Sequence, residues 1–179
     1  MLNLPNCITL LRLPMIAGVV LFLSMESTTS DRAAVLLAVA IVGSDVLDGY
    51  IAKKYSQITE FGQFIDPLVD KLFIASALLA LFVRGEVAVW VIVVILGRDL
   101  AVTALRAYLG RKGASMPAVR AAQHKTTLQS LMVILLIAVS GNPLWLQGLI
   151  WITVGVTLYT GFRYFLTASA LLQERKTAK

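Results

Sequence analysis

Four aspartates fall in the stretch DVLDGYIAKKYSQITEFGQFIDPLVD, at Asp45, Asp48, Asp66 and Asp70. The first two are spaced i, i+3 and the last two i, i+4. On a helix such pairs stand about 60° and about 40° apart, so each pair shares one face. Both pairs adjoin long apolar runs. A carboxylate placed in hydrocarbon costs roughly 3 kcal/mol on insertion scales. Four of them, with no comparable set of buried bases expected nearby, call for a compensating charge. Two divalent cations would offset four carboxylates, and all-oxygen donors suit a hard ion such as Mg²⁺ or Mn²⁺.

These faces exist only if apolar helices carry them, and the composition says they do. The chain has 179 residues, of which 58% are hydrophobic and 15% charged, with mean hydropathy +0.81. A soluble domain is nearer half apolar and about a quarter charged. The expected class is an all-α integral membrane protein, one domain over residues 1–179, since no polar linker separates two cores. The single cysteine, Cys7, excludes an internal disulfide. No cleavable signal is expected, because no small-residue cleavage site precedes a soluble region. The net charge of +6 points to an acidic membrane surface rather than to nucleic acid, because the bases are scattered along span-edge loops.

Residues 1–14 read as a short interfacial helix, with Pro5 and Pro14 as breaks. Six spans follow, at about 14–25 (or from near residue 8), 33–53, 64–83, 87–109, 126–140 and 144–171. Asp66-Pro67 opens the third, with Pro67 suited to a first helical turn. Lys53, Lys54, the loop 110–125 and the tail QERKTAK fall on one side of this layout. The excess of bases there assigns that side, and both termini, to the cytoplasm. Asp45 lies about 18 Å into span two, and Asp66 and Asp70 open span three on the same side. All four acids therefore converge in a cavity open to the cytoplasm. Trp90, Trp145 and Trp151 fit an outer interfacial belt.

The acid stretch resembles the signature of the CDP-alcohol phosphotransferases, Asp-x2-Asp-Gly-x2-Ala-Arg-x8-Gly-x3-Asp-x3-Asp. The matching residues are Asp45, Asp48, Gly49, Ala52, Gly62, Asp66 and Asp70, with Lys53 where the family usually has Arg. The opening Asn3-Leu4-Pro5-Asn6, Thr9 and Arg12 is similar to the phosphatidylglycerophosphate synthase branch. So are Asp70-Lys71-Leu72, Gly97-Arg98-Asp99 and Leu105-Arg106. That branch commonly has Lys-x-Lys-Thr at the head of span five, where this chain reads Gln123-His124-Lys125-Thr126.

The resemblance implies an enzyme that moves a phosphatidyl group from CDP-diacylglycerol to an alcohol, sn-glycerol 3-phosphate in this branch, and releases CMP. It implies metal held by Asp45, Asp48, Asp66 and Asp70, and Asp70 as the base that takes the hydroxyl proton. Asn6, Thr9, Gly49, Ala52, Lys53 and Gly62 would face the nucleotide donor; the glycines let it approach the backbone. The acceptor brings its own phosphate and needs cations. Arg106 and Lys125 match branch positions, and Arg98, Arg111, Lys112 and Arg120 stand near. A homodimer in the cell (inner) membrane is expected from the family. Two other acceptors stay open, phosphatidylglycerol and inositol phosphate, because of Gln123. A cation transporter is the rival from another class, motivated by intramembrane acids; the acids cluster in one half and no second copy is visible.

Overall fold

The structure, a computed structural model, describes residues 4–54, 60–111, 121–139, 141 and 143–177. Among them, side chains are described at 7–45, 47, 65–111, 125–139, 141 and 143–171. The described residues form six helices and turns: α1 (Leu4–Ser24), α2 (Thr28–Lys54), α3 (Glu60–Val83), α4 (Val89–Arg111), α5 (Ala121–Ala138) and α6 (Leu144–Thr177). Two carry membrane-length apolar windows. Cys7–Ser24 has mean hydropathy 2.1, and Leu144–Leu171 has 1.3.

Burial is distributed inside out relative to a water-soluble protein. Thr9, Arg12, Asp99, Lys125, Gln129, Thr153, Thr157 and Thr160 are buried, while Leu21, Leu36, Leu68, Val93, Leu100, Trp151 and Phe162 are exposed. An exposed surface of Leu, Val and Phe around a core that keeps its charges suits lipid as the surrounding medium. The protein is a membrane protein.

The chain divides into two compact units, Met1–Val87 with Val133–Asn142, and Ala88–Met132 with Pro143–Lys179. In the first, α1 packs on α2 and α3. Small residues set this approach. A Cβ added at Gly18 would stand 2.8 Å from the Leu37 side chain, and Ala34 and Ala38 are fully buried. Close approach fixes the register. Fourteen residues separate Asp31 from Asp45 on α2, and fourteen separate Asp70 on α3 from Arg84 just past its end. Fourteen residues make about 3.9 turns, so the same helix faces meet again about 21 Å away. Arg84 closes the far level, with its guanidinium on both Asp31 oxygens and on Glu86 at 2.9 Å. Gly85, at φ 74°, ends α3 there. Its amide bonds Phe82 and the next amide bonds Leu81, the two reversed bonds of a Schellman cap.

In the second unit α4 and α6 run parallel. Trp90 meets Trp151 with ring centroids 4.8 Å apart, and Leu109 packs with Ala168 further along both helices. Thr153, Thr157 and Thr160 form a buried stripe on α6 at helical spacing.

Two expectations are corrected. No separate interfacial helix precedes the first span among the described residues, because α1 runs unbroken through Pro14. Pro14 gives up one backbone bond, but packing along α1 holds the helix together. Pro67 is not in the first turn of α3, which begins at Glu60. The helix extends about two turns before the proline, so Asp66 lies inside it.

Candidate functional site

The first unit gathers the acids around α1. Arg12 is fully buried. Its Nη1 donates to Asp45 Oδ1 at 2.9 Å and lies 3.5 Å from Asp70 Oδ1. Its Nε donates to Ser44 Oγ at 3.0 Å, and that serine donates onward to the Ile41 carbonyl. One turn earlier on α1, Thr9 donates to Asp66 Oδ1 at 2.7 Å. Acids from α2 and α3 thus turn toward one nitrogen of one guanidinium.

The spacing predicts that Asp45, Asp48, Asp66 and Asp70 converge, and among the described side chains Asp45 and Asp70 meet on the same group. The expectation is that no comparable set of buried bases accompanies the acids, and the structure places a single base, Arg12, between two of them. The signal was present: a lone Arg in an apolar run needs an acid partner. Thr9, expected at the donor, has its hydroxyl on Asp66. The side chains of Asn6, Asp48, Gly49, Ala52, Lys53 and Gly62, and residues Lys112 and Arg120, lie outside the described residues.

Among the described residues no three acid, His or Cys side chains form a group able to hold an ion. Asp45 and Asp70 do converge, and both present hard carboxylate oxygens to a point that already holds a positive group. In donor type these oxygens suit a hard divalent cation. A cavity of about 490 Å³ lies elsewhere, at the Asp31 end of the unit, lined by Thr28, Asp31, Arg32, Val35, Leu36, Ile137 and Ala138. It is about 21 Å along α2 from Asp45.

The second unit is arranged the other way. Asp99 is buried, and its Oδ1 accepts from Arg98 Nη1 at 3.0 Å and from Lys125 Nζ at 2.5 Å. Arg98 Nη2 donates to Thr160 Oγ1 at 3.1 Å. The guanidinium groups of Arg98 and Arg106 lie 5.5 Å and 6.0 Å from the Tyr164 ring centre. Gly161 makes room: a Cβ there would be 2.9 Å from Arg98 Cγ. Arg98 Nε is buried with no hydrogen-bond partner among the described residues. Arg98, Arg106 and Lys125 therefore share one helical unit. Arg111 is exposed at the end of α4. Asp99, which organises the group, was not singled out beforehand. Its place beside Arg98 in an apolar span was the clue.

Comparison with known proteins gives consistent matches. The model of a family described as CDP-alcohol phosphatidyltransferase matches residues 2–159. A Rickettsia bellii protein named CDP-diacylglycerol–glycerol-3-phosphate 3-phosphatidyltransferase is 32% identical over 169 residues, covering 91% of this chain and 93% of that one. A Bacillus subtilis protein of the same name is 31% identical, covering 92% and 94%. A Mycobacterium tuberculosis protein named probable phosphatidylglycerophosphate synthase is 36% identical, covering 90% and 79%.

Proposed function

The chain belongs to the CDP-alcohol phosphatidyltransferase family, and from that premise we propose that it transfers the phosphatidyl group of CDP-diacylglycerol to sn-glycerol 3-phosphate. The products are phosphatidylglycerophosphate and CMP. The observation that carries the reading is the meeting of Asp45 from α2 and Asp70 from α3 on one nitrogen of Arg12. That meeting brings the two halves of the acid signature together.

In this reading the acceptor hydroxyl attacks the phosphatidyl phosphorus directly. The bond from that phosphorus to the CMP oxygen breaks, and Asp70 takes the hydroxyl proton. Asp45, Asp48, Asp66 and Asp70 would hold one or two Mg²⁺ or Mn²⁺ ions. When bound, such ions offset the charge of the diphosphate and stabilise CMP as it leaves. Thr9 keeps Asp66 turned inward through its hydroxyl. The family resemblance assigns Asn6, Gly49, Ala52, Lys53 and Gly62 to the nucleotide. The acceptor phosphate goes to the cations of the second unit. In this reading Arg98, Arg106 and Lys125 bind it, and Arg111 and Arg120 are assigned to it as well. Asp99 neutralises only one of the charges there, which leaves the group net positive for an anion.

All of residues 1–179 serve this one activity. The chain would cross the inner membrane six times, with both termini and the reactive face cytoplasmic, because the bases gather on that side. It would act as a homodimer.

The decisive experiment offers the purified protein CDP-diacylglycerol with sn-glycerol 3-phosphate, phosphatidylglycerol or inositol phosphate in separate reactions. CMP release is expected with the first alone. Release only with one of the others would reassign the acceptor and would locate the reason at Gln123, where the branch commonly has Lys.

A further inference from the structure

Arg12 is the largest fully buried side chain among the described residues of the first unit. It lies on α1, away from the signature stretch of α2 and α3. A guanidinium stripped of water is stable only if every face finds a partner. Arg12 has Asp45, Asp70 and Ser44, reached through a planar fork that an ammonium cannot reproduce. Without a cation between them, two carboxylates from different helices at this separation repel. One positive charge does not cancel the group, so the cluster stays acidic with Arg12 in place.

We propose that Arg12 is a positioning residue: a built-in cation that holds Asp45 and Asp70 in register across α2 and α3 before any ion or diphosphate arrives. Thr9, one turn away, does the same for Asp66 by a neutral hydrogen bond. The face of α1 that carries both residues is thus a template for the acid face of α3. It follows that Arg12 matters most when the site holds no other cation. This rests on the reading of the acids as the reactive centre, and the test keeps the two ideas apart.

The full chain in detergent is unfolded by heat in EDTA and in saturating Mn²⁺, as wild type, Arg12→Gln and Arg12→Lys. In EDTA, Arg12→Gln is expected to lower Tm by about 10 °C, and Mn²⁺ to restore at least half of that. Arg12→Lys keeps the charge and should lose less. The double variant Arg12→Gln/Asp45→Asn should lose less in EDTA than the two single losses added. Additive losses, a deficit that Mn²⁺ leaves unchanged, or Lys no better than Gln would each overturn the proposal. If Arg12→Gln does not fold, Arg12→Lys carries the Mn²⁺ comparison and, with Asp45→Asn, the cycle. Mn²⁺ binding to the wild type, followed by loss of its free EPR signal, tests the metal reading separately. Should no Mn²⁺ bind, that reading fails and the cycle in EDTA alone decides the role of Arg12.

Discussion

In the first unit a buried guanidinium sits among carboxylates; in the second a buried carboxylate sits among cations. Arg12 takes Asp45 and Asp70 onto one nitrogen. Asp99 takes Arg98 and Lys125 onto one oxygen. In each case the central group makes the assembly tolerable in an apolar setting and stops short of neutralising it. The charge left over differs in sign. In the proposed function the acidic remainder would take metal and the basic remainder a phosphate. The Arg84 group at the far end of the first unit makes a useful contrast. There one arginine meets Asp31 and Glu86 in a turn, and its job is to close α3 against α2.

The contrast can be broken most severely at Asp70. Asp70→Asn should cut CMP release by about a thousandfold, the usual scale of a lost general base, while nucleotide binding survives. Asp45→Asn should lose metal and donor together. Wild-type turnover in either would remove the acidic half of the comparison.

Asp99→Asn is next. It strands Arg98 and Lys125 without their shared acid, a change that costs about 3–5 kcal/mol when a buried pair is broken. Chemical unfolding would measure it, and glycerol 3-phosphate should recover part of the loss if its phosphate replaces the missing charge. A variant as stable as wild type would show that the cations do not depend on Asp99.

A smaller effect is expected at Gly161. The added methyl of Gly161→Ala meets Arg98 Cγ at 2.9 Å, close to the root of that side chain, so the arginine must move. Overpacking of this kind costs about 1–3 kcal/mol. The KM for glycerol 3-phosphate should rise with little change for CDP-diacylglycerol. Equal shifts for both substrates would detach Arg98 from the acceptor.

The least effect lies at Glu86. Burial pushes its carboxyl above the ordinary 4.5, and Asp31 adds to this, against the opposing pull of Arg84. A raised carboxyl pKa favours the folded state below 4.5 and loses that contribution as pH climbs through the raised value. Glu86→Gln should flatten the fall in Tm over that interval by a degree or two, visible in a pH series of melting curves. An unchanged slope would mean that Arg84 already compensates the acid fully.

Much of the site could be read from the chain. Asp66 and Asp70 stand one turn apart, and that is a property of helical periodicity alone. The cationic residues Arg98, Arg106 and Lys125 were legible as charges that an apolar span does not carry without reason. The continuity of α1 was not. Pro14 reads as a stop locally, and packing outweighs one lost backbone bond. The start of α3 is not legible for the same cause, since Pro67 is tolerated two turns into the helix.

The sequence alone determined which residues share a helix face, the apolar character of the chain, and the family signature, because these follow from spacing and composition. Only the tertiary structure decided that Arg12 lies between the acids and that Asp99 lies between the bases. The pairing of one helix with another depends on where their backbones come closest. In the first unit that point is set by Gly18 against Leu37, near neither acid, and the register of that contact carries Arg12 to Ser44 and Asp45.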